Sequence, residues 1–415
     1  GKNLFTASMV ALDYKTGKLK WWYQMVHHDI WDYDAPSPTV LFDAKVDGKS
    51  VKGIGEAAKT GWLYLLNRET GKPLFPSPEK SVPQEPRQKT WPTQPFPSYA
   101  PVVPHALTDQ QYAQVVKLAR AAAKGAKVDA VKAEGMYTPY WDKLTVFTPG
   151  PQGGTNWQPS SYNPDTHMFY VCAQSGVTGN VATPNVAAGG KKNGVAQIAL
   201  GGTLTLAGGF GQNAGTFTAI DATTGKIVWQ KRWPEACYAG STTTKGNLVF
   251  IGRNDGRLHA FNATNGNPLW SFQTGAGAND APTVFEHNGK EYVTFYAGGN
   301  ALAASPHGDN LWLFALEGSM NEVAAPGAGQ GVEHAGETEN PNKKKGKQTA
   351  AAAGSAAAGK PVFADNCSTC HGAQGTGGNG GPDLTKLPAA KNLQRVIAQV
   401  TNGGGGMPAF KGTLT

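Results

Sequence analysis

Residues 219–229 read AIDATTGKIVW, and this stretch decides the fold. An apolar run ends at Asp221, whose carboxylate can cap the turn that follows. Gly225 then supplies a residue that tolerates positive φ. A second run leads to Trp229, an aromatic side chain that can pack between neighbouring sheets. The pattern predicts a β-hairpin that docks against the next structural unit.

The same unit recurs along the chain. Close copies read ALDYKTGKLKW at residues 11–21 and AFNATNGNPLW at residues 260–270, and looser copies occupy residues 65–75 and 162–170. The glycines at 225 and 266 are 41 positions apart, which is the length of a four-stranded propeller blade. One isolated hairpin would carry no such implication. Five tandem copies predict a β-propeller of about five blades over residues 1–317.

The segments between the repeats predict strands and two insertions. Strand-like runs occupy residues 61–66, 248–252, 257–261, 292–297 and 311–315. Residues 84–105 are rich in proline and should be extended. Thr108 or Asp109 should then cap a helix that runs, with a break near Gly125, towards Glu134. Residues 178–205 are rich in Gly, Ala and Asn, which predicts a loop.

The composition agrees with a mainly β chain. Its 415 residues include 54 Gly, 28 Pro and 11 Trp, with 16% charged residues, which suits short strands and tight turns better than a helical bundle. We predict no transmembrane helix, because no run approaches the roughly 18 apolar residues that one needs. The formal charge is +8, but the basic residues are scattered, so we predict no nucleic-acid binding. The one tight run, residues 343–347, lies in a predicted flexible linker at 318–358.

Residues 367–371 read CSTCH, the attachment signature for a c-type haem. Cys367 and Cys370 can each form a thioether to the haem, and His371 follows as proximal iron ligand. Met407 is the expected second axial ligand. A zinc half-site would need a second ligand pair, and residues 372–415 contain no Cys or His. We therefore predict a small α-helical cytochrome c domain over residues 359–415, cut short after Met407.

Two further cysteines remain open. The sequence alone leaves the pairing of Cys172 and Cys237 undecided, and the apolar run around Cys172 favours a buried thiol. Because c-haem is attached outside the cytoplasm, we expect a periplasmic protein, although residues 1–30 show no signal-peptide pattern.

The repeats resemble the tryptophan-docking repeats of the pyrroloquinoline quinone (PQQ) dehydrogenases, the eight-bladed quinoprotein alcohol and sugar dehydrogenases. The stretches that carry the resemblance are NLFTASMVALD at 3–13, VHHDIWDYD at 26–34 and GGTNW at 153–157. With its C-terminal haem motif, the whole chain resembles a quinohaemoprotein. The resemblance implies part of an eight-bladed propeller, lacking its N-terminal half, followed by a cytochrome.

The resemblance also implies an activity. Members oxidise an alcohol or a sugar with PQQ, and here a c-type haem would take the electrons and hand them to a downstream cytochrome or quinone. A carboxylate base removes the hydroxyl proton, and a Ca²⁺ ion acts as Lewis acid. The resemblance places Asn156 and Trp157 at the cofactor, and it places His28 beside the quinone oxygens.

Two departures qualify this expectation. Alcohol-oxidising relatives carry a catalytic aspartate in Gly-Asp-Asn, where this chain reads Gly1-Lys2-Asn3. Asp29 is the candidate substitute base. The calcium ligands would lie mostly in the missing half, so we expect an internal fragment of a longer gene product. The alternative is a non-catalytic propeller that serves as a scaffold or electron relay fused to a cytochrome c.

Overall fold

The computed structural model describes residues 1–122, 127–181, 204–206, 215–303, 305–325, 356–377, 381–387, 390 and 393–402. It divides into two units, Gly1–Glu322 and Val323–Thr415. Met407, the C-terminal end after it and most of the predicted linker lie outside the described residues.

The regular secondary structure of the first unit consists almost entirely of β-strands. In chain order these are β1 (Ser8–Leu12), β2 (Leu19–Gln24), β3 (Val40–Val46), β4 (Lys49–Ala57), β5 (Leu63–Asn67), β6 (Glu79–Ser81), β7 (Thr93–Pro95), β8 (Ala130–Lys132), β9 (Leu144–Phe147), β10 (Ser161–Asn163), β11 (Met168–Gln174), β12 (Val177–Asn180), β13 (Leu204–Leu206), β14 (Gly215–Asp221), β15 (Ile227–Trp233), β16 (Ser241–Thr243), β17 (Leu248–Gly252), β18 (Arg257–Asn262), β19 (Pro268–Gln273), β20 (Thr283–His287), β21 (Lys290–Ala297) and β22 (Asn310–Phe314).

Besides the short antiparallel pair β6–β7 and the mixed sheet of β8, β9, β12 and β13, five antiparallel sheets follow one another along the described part of the chain. They are β1–β2, β3–β4–β5, β10–β11–β14–β15, β16–β17–β18–β19 and β20–β21–β22. This succession of small sheets confirms the predicted mainly β, propeller-type fold. The five strand-like runs correspond to β5, β17, β18, β21 and β22, with ends that shift by at most two residues.

The repeated turn forms as its sequence predicts. In the first copy, Oδ1 of Asp13 accepts hydrogen bonds from the backbone N–H groups of Lys15 (3.1 Å) and Thr16 (3.0 Å). Asp221 caps the equivalent turn by accepting from the N–H of Thr223 at 2.7 Å. The side chain therefore supplies the acceptor that the tight turn lacks.

Two of the tryptophans that end a hairpin, Trp21 and Trp229, dock on the turn of the next sheet. Nε1 of Trp21 donates to the carbonyl of Arg68, and Nε1 of Trp229 donates to the carbonyl of Ala263, both at 2.9 Å. Gly266, which has φ +72°, packs against the Trp229 indole. A Cβ at this position would come within 2.7 Å of the ring. Glycine is therefore required both for the conformation and for the close approach.

The insertion after the second sheet differs in part from its prediction. Helix α1 spans Asp109–Ala122, and Thr108 caps it by accepting from the N–H of Gln111, whose side chain returns a bond to the Thr108 N–H. The expected continuation towards Glu134 is wrong. Residues 130–132 form β8 instead, which pairs in parallel with β9, so a non-local sheet contact overrides the local helical pattern.

Two further expectations are corrected. Residues 178–205 are not a loop throughout, because β12 pairs with both β9 and β13. The buried thiol expected at Cys172 is instead half of a disulfide with Cys237, 65 positions along the chain. Pairing partners that lie so far apart leave no local signal.

The second unit contains helices. Helix α2 spans Ala356–Asn366, α3 spans Ser368–His371 and α4 spans Leu393–Asn402. The haem-attachment motif thus lies directly after α2 and within α3. Among the residues that the structure describes, no helix has both the length and the apolar character needed to cross a membrane.

Candidate functional site

Three loops meet at the ends of the second and third sheets. They are residues 29–34, 58–61 and 150–158. The N–H of Lys59 donates to the carbonyl of Asp34 (3.2 Å), and the carbonyl of Lys59 accepts from the N–H of Gly154 (2.7 Å). Lys59 therefore joins the acidic loop to the loop that carries Asn156 and Trp157.

Two glycines allow this contact. A Cβ at Gly153, which has φ +77°, would lie 2.4 Å from Cβ of Lys59, and a Cβ at Gly154 would lie 2.6 Å from Cα of Gly61. No side chain fits between the two backbones. The Gly-Gly pair of the GGTNW stretch is therefore a packing requirement of the site.

A buried lysine occupies the centre of this arrangement. The Lys59 side chain is 8% exposed, and its Nζ lies 2.9 Å from Oδ2 of Asp32 and 2.6 Å from Oδ1 of Asp34. Burial acts to lower the pKa of Lys59, but the two ion pairs outweigh it and raise the pKa above its ordinary value. The site therefore holds a fixed positive charge at neutral pH.

The carboxylates around Lys59 differ in environment. Burial raises the pKa of Asp32, the lysine opposes that change and Asp34 adds to it. Burial also raises the pKa of Asp29 to about 6, although the N–H of Trp31 donates to its Oδ1 at 2.9 Å. Asp32 is the more accessible of the two, with 54% of its side chain exposed, and it contacts the lysine directly.

Asp32, Asp34 and Lys59 are candidate functional residues that the sequence reasoning missed. The two aspartates stand in the quoted VHHDIWDYD stretch, where only His28 and Asp29 were singled out. Lys59 had a weaker signal, a lone lysine that follows small residues and precedes the predicted strand at 61–66. Its burial and its partners are visible only in three dimensions.

Asn156 and Trp157 lie on the loop that contacts Lys59. The Asn156 amide nitrogen donates to the carbonyl of Gln152 (2.9 Å), and its oxygen accepts from the N–H of Trp157 (2.8 Å). The amide thus shapes its own loop. The Trp157 ring packs edge-on against Tyr238, with centroids 6.1 Å apart.

The two histidines of the HHD stretch have different surroundings. His27 is buried between the side chains of Gln24 and Glu79, each 2.8 Å from a ring nitrogen. The ring of His28 contacts the carbonyl of Gly1 at 2.5 Å, and the backbone N–H of His28 donates to the carbonyl of Lys2. Within the described residues, these contacts place His28 beside the start of the chain rather than with Asn156.

The geometry of the haem-attachment motif fits a c-type haem. Cys367 and Cys370 carry free thiols. His371 is 7% exposed, and its Nδ1 lies 2.9 Å from the carbonyl of Pro382. Since a carbonyl only accepts, Nδ1 carries the proton, and Nε2 is left to bind iron. The motif therefore presents two thiols and one oriented imidazole.

The first unit also has features that fit an oxygen-rich ligand. The hydroxyl groups of Thr155 and Tyr238 are buried, and no described group accepts a hydrogen bond from either of them. Buried polar groups with unused hydrogen-bonding capacity are uncommon in native proteins. Thr155 lies on the 150–158 loop, and Tyr238 packs against Trp157 of that loop. In the described part of the chain, by contrast, no group of three or more His, Cys, Asp or Glu side chains is arranged to hold a metal ion.

The fold and these two sites together define a quinoprotein-type propeller joined to a cytochrome. Residues 1–187 match the family described as the glucose/ethanol/alcohol dehydrogenase β-propeller domain, and residues 354–415 match that described as cbb3-type cytochrome c oxidase subunit III. Residues 145–364 match the family described as outer membrane protein assembly factor BamB. The chain belongs to the PQQ-dependent quinohaemoprotein dehydrogenase family, as its relatives also show.

Among curated proteins, it is 29% identical to quinohemoprotein alcohol dehydrogenase ADH IIB of Pseudomonas putida, over 100% of this chain and 55% of that protein. It is 31% identical to quinoprotein glucose dehydrogenase of Escherichia coli K12, over 75% of this chain and 44% of that protein. The crystal structure of the Comamonas testosteroni quinohemoprotein alcohol dehydrogenase aligns with a TM-score of 0.53 at 26% identity, over 100% of this chain and 56% of that one. The chain thus spans about half the length of the relatives it matches.

Proposed function

We propose that the whole protein oxidises an alcohol or a sugar with PQQ and passes the electrons to its own c-type haem. The observation that carries this proposal is the Lys59–Asp32 contact, beside the loop that holds Asn156 and Trp157. A buried cation beside a carboxylate with a raised pKa is the pairing that proton abstraction beside a charged or polar cofactor requires.

We assign the role of general base to Asp32 in place of Asp29. Its side chain is half-exposed and so can reach a substrate hydroxyl, whereas Asp29 is largely buried and bonded to backbone N–H groups. Burial raises the pKa of Asp32, which strengthens it as a proton acceptor at pH 7.

Lys59 has an electrostatic role in this proposal. Its ammonium is fixed by two ion pairs and shielded from water, so it stabilises negative charge on a nearby ligand oxygen without having to reorganise. PQQ, when bound, supplies the two-electron acceptor. Trp157 would form an apolar wall against it, and Asn156 holds the loop that presents Trp157.

In the second unit, Cys367 and Cys370 would hold the haem through thioethers, and His371 would bind its iron. Met407 remains the proposed second axial ligand. We retain the domain organisation of a partial propeller at 1–317, a linker at 318–358 and a cytochrome c domain at 359–415.

The remaining assignments belong to the same proposal. The substrate is a small alcohol or sugar, the acceptor after the haem is a cytochrome or a quinone, and the location is the periplasm. A Ca²⁺ ion completes the cofactor site, with its ligands mostly outside this chain. The names of the relatives include alcohol, ethanol and glucose dehydrogenases, so both substrate classes are retained.

The test uses the whole protein loaded with PQQ and Ca²⁺. We expect ethanol or glucose to reduce the haem, followed by its visible absorbance bands, and to reduce an artificial dye. The Asp32→Asn variant should retain its haem and lose this reduction. If no alcohol or sugar reduces the haem of the wild type, the proposal is wrong, and the scaffold or relay function replaces it.

A further inference from the structure

Tyr238 lies in the segment between β15 and β16 and packs against the candidate cofactor site. It is fully buried, and its ring meets Trp157 edge-to-face at a centroid distance of 6.1 Å. No described residue accepts the proton of its hydroxyl group. A phenylalanine would fill the same space without this cost, so the fold alone does not explain the hydroxyl.

The backbone around Tyr238 is held on both sides. Cys237, which precedes it, is linked by the disulfide to Cys172, and the N–H of Ala239, which follows it, donates to the Cys172 sulfur at 3.3 Å. The amide of Asn279 donates to the carbonyl of Tyr238 at 3.1 Å. The position of the ring is therefore fixed by the protein before any ligand binds.

Neighbouring groups indicate what the hydroxyl would bind. Burial raises the pKa of Tyr238, while a hydrogen bond with the Trp157 side chain and the Lys59 charge act to lower it. The phenol thus keeps its proton and can donate it in a hydrogen bond. A second unpaired hydroxyl, that of Thr155, sits on the loop whose backbone bonds to Ala58. The ammonium of Lys59 is already paired with Asp32 and Asp34, so it is the two hydroxyl donors without acceptors that favour an oxygen acceptor as the ligand atom.

We propose that the Tyr238 hydroxyl donates a hydrogen bond to an oxygen of bound PQQ. The inference rests on the proposed function and adds a cofactor-binding residue that the sequence motifs do not contain. PQQ carries three carboxylates and two quinone carbonyls, so it offers the acceptor that the buried donor lacks. Trp157, the aromatic neighbour of Tyr238, is only partly buried.

The test compares Tyr238→Phe with Tyr170→Phe, using the protein before and after addition of PQQ. Tyr170 is an equally buried control, but its hydroxyl already donates to the carbonyl of Ala263 at 3.1 Å. The dissociation constant of PQQ is measured by equilibrium dialysis, and the unfolding midpoint is measured with and without PQQ. Neither measurement depends on turnover.

We expect Tyr238→Phe to weaken PQQ binding roughly tenfold or more and to leave the PQQ-free protein at least as stable as the wild type. Tyr170→Phe should show the opposite pattern, with a lower unfolding midpoint and unchanged PQQ affinity. The stability result ensures that a loss of binding is not a loss of folding.

Equal PQQ affinity in Tyr238→Phe and wild type would overturn the inference and leave the proposed function standing. A rise in KM for the alcohol or sugar alone would also overturn it, because the hydroxyl would then contact the substrate. If the wild type fails to bind PQQ, the proposed function falls first, and the role of Tyr238 falls with it.

Discussion

Nζ of Lys59 lies 2.9 Å from Oδ2 of Asp32, although 27 positions separate the two residues in the chain. Strands β3 and β4 lie between the two residues in the chain, so the contact joins the loop before β3 to the loop after β4. Lys59 also bonds through its backbone to Gly154. Lys59 therefore holds the Asp32 carboxylate at a fixed distance from the loop of Trp157.

Asp32→Asn should reduce kcat at least roughly a hundredfold, because the base that takes the hydroxyl proton is removed. Asp29→Asn is the matched comparison, and it should keep kcat within about tenfold of the wild type. Steady-state dye reduction by the PQQ-loaded whole protein measures both. A larger loss in Asp29→Asn would return the catalytic role to that residue.

Lys59→Gln should shift the acid limb of the pH–rate profile to higher pH. Lys59 acts to lower the pKa of Asp32, so its removal raises that pKa further, and the base is then protonated at a higher pH. Lys59→Arg retains the charge and should keep the limb near its original position. If the two variants give superimposable profiles, the lysine acts through its shape rather than its charge.

Glu56 should make the protein less stable as the pH rises. It is 5% exposed, and burial raises its pKa to about 8, above the ordinary value of 4.5. The folded state therefore binds more protons than the unfolded state between these values, and the free energy of unfolding falls across that window by at most about 1.4 kcal/mol per pH unit. Urea unfolding at a series of pH values measures the slope.

Glu56→Gln should flatten this slope and stabilise the protein at pH 8. Glu69→Gln is a suitable control, since that side chain is 60% exposed and paired with Lys52. An unchanged slope in Glu56→Gln would mean that another group titrates in this range.

Gly266→Ala should destabilise the first unit by more than Gly17→Ala does. Both glycines hold positive φ in equivalent turns, but a Cβ at Gly17 meets nothing within 4 Å, whereas a Cβ at Gly266 would strike the Trp229 ring. The backbone strain, about 1 kcal/mol, is shared, and the collision adds roughly 1–3 kcal/mol. Tryptophan fluorescence during urea unfolding gives both values, and equal losses would contradict the docking argument.

The haem motif predicts an absorbance result. Cys367→Ala combined with Cys370→Ala should leave haem that acidified acetone extracts, because both thioethers are gone. His371→Ala should alter the Soret band, since the iron loses a nitrogen ligand. Cys172→Ala, which removes the other kind of cysteine, should leave haem attachment intact. Covalent haem in the double variant would contradict the assignment.

The sequence predicts local features of this fold well. The repeat identifies the aspartate that caps each turn, the glycine at positive φ and the tryptophan that follows, because all three depend on neighbours within a few residues. The CSTCH motif is equally local. The resemblance to quinoprotein dehydrogenases correctly identifies the family.

Long-range pairings are what the sequence does not show. The Cys172–Cys237 disulfide, the parallel pairing of β8 with β9 and the Lys59–Asp32 contact each join distant segments, and no local pattern marks the partner. From the sequence, Asp29 is the candidate base and Asp32 carries no signal of its own, for the same reason. Asp29 and Asp32 differ in burial, and their burial depends on the loops that pack against them.

The docking of Trp21 and Trp229 on the turn of the following sheet has a consequence for how such chains can be shortened or extended. A chain that stopped after β15 would end in a complete four-stranded sheet, yet the Trp229 indole would lose the carbonyl of Ala263 and face water. The structural unit that must be kept together is therefore one tryptophan and the turn on which it docks, and this unit crosses the boundary between two sheets. A cut between two sheets separates the tryptophan from its turn, whereas a duplication or deletion that keeps the two together preserves this contact.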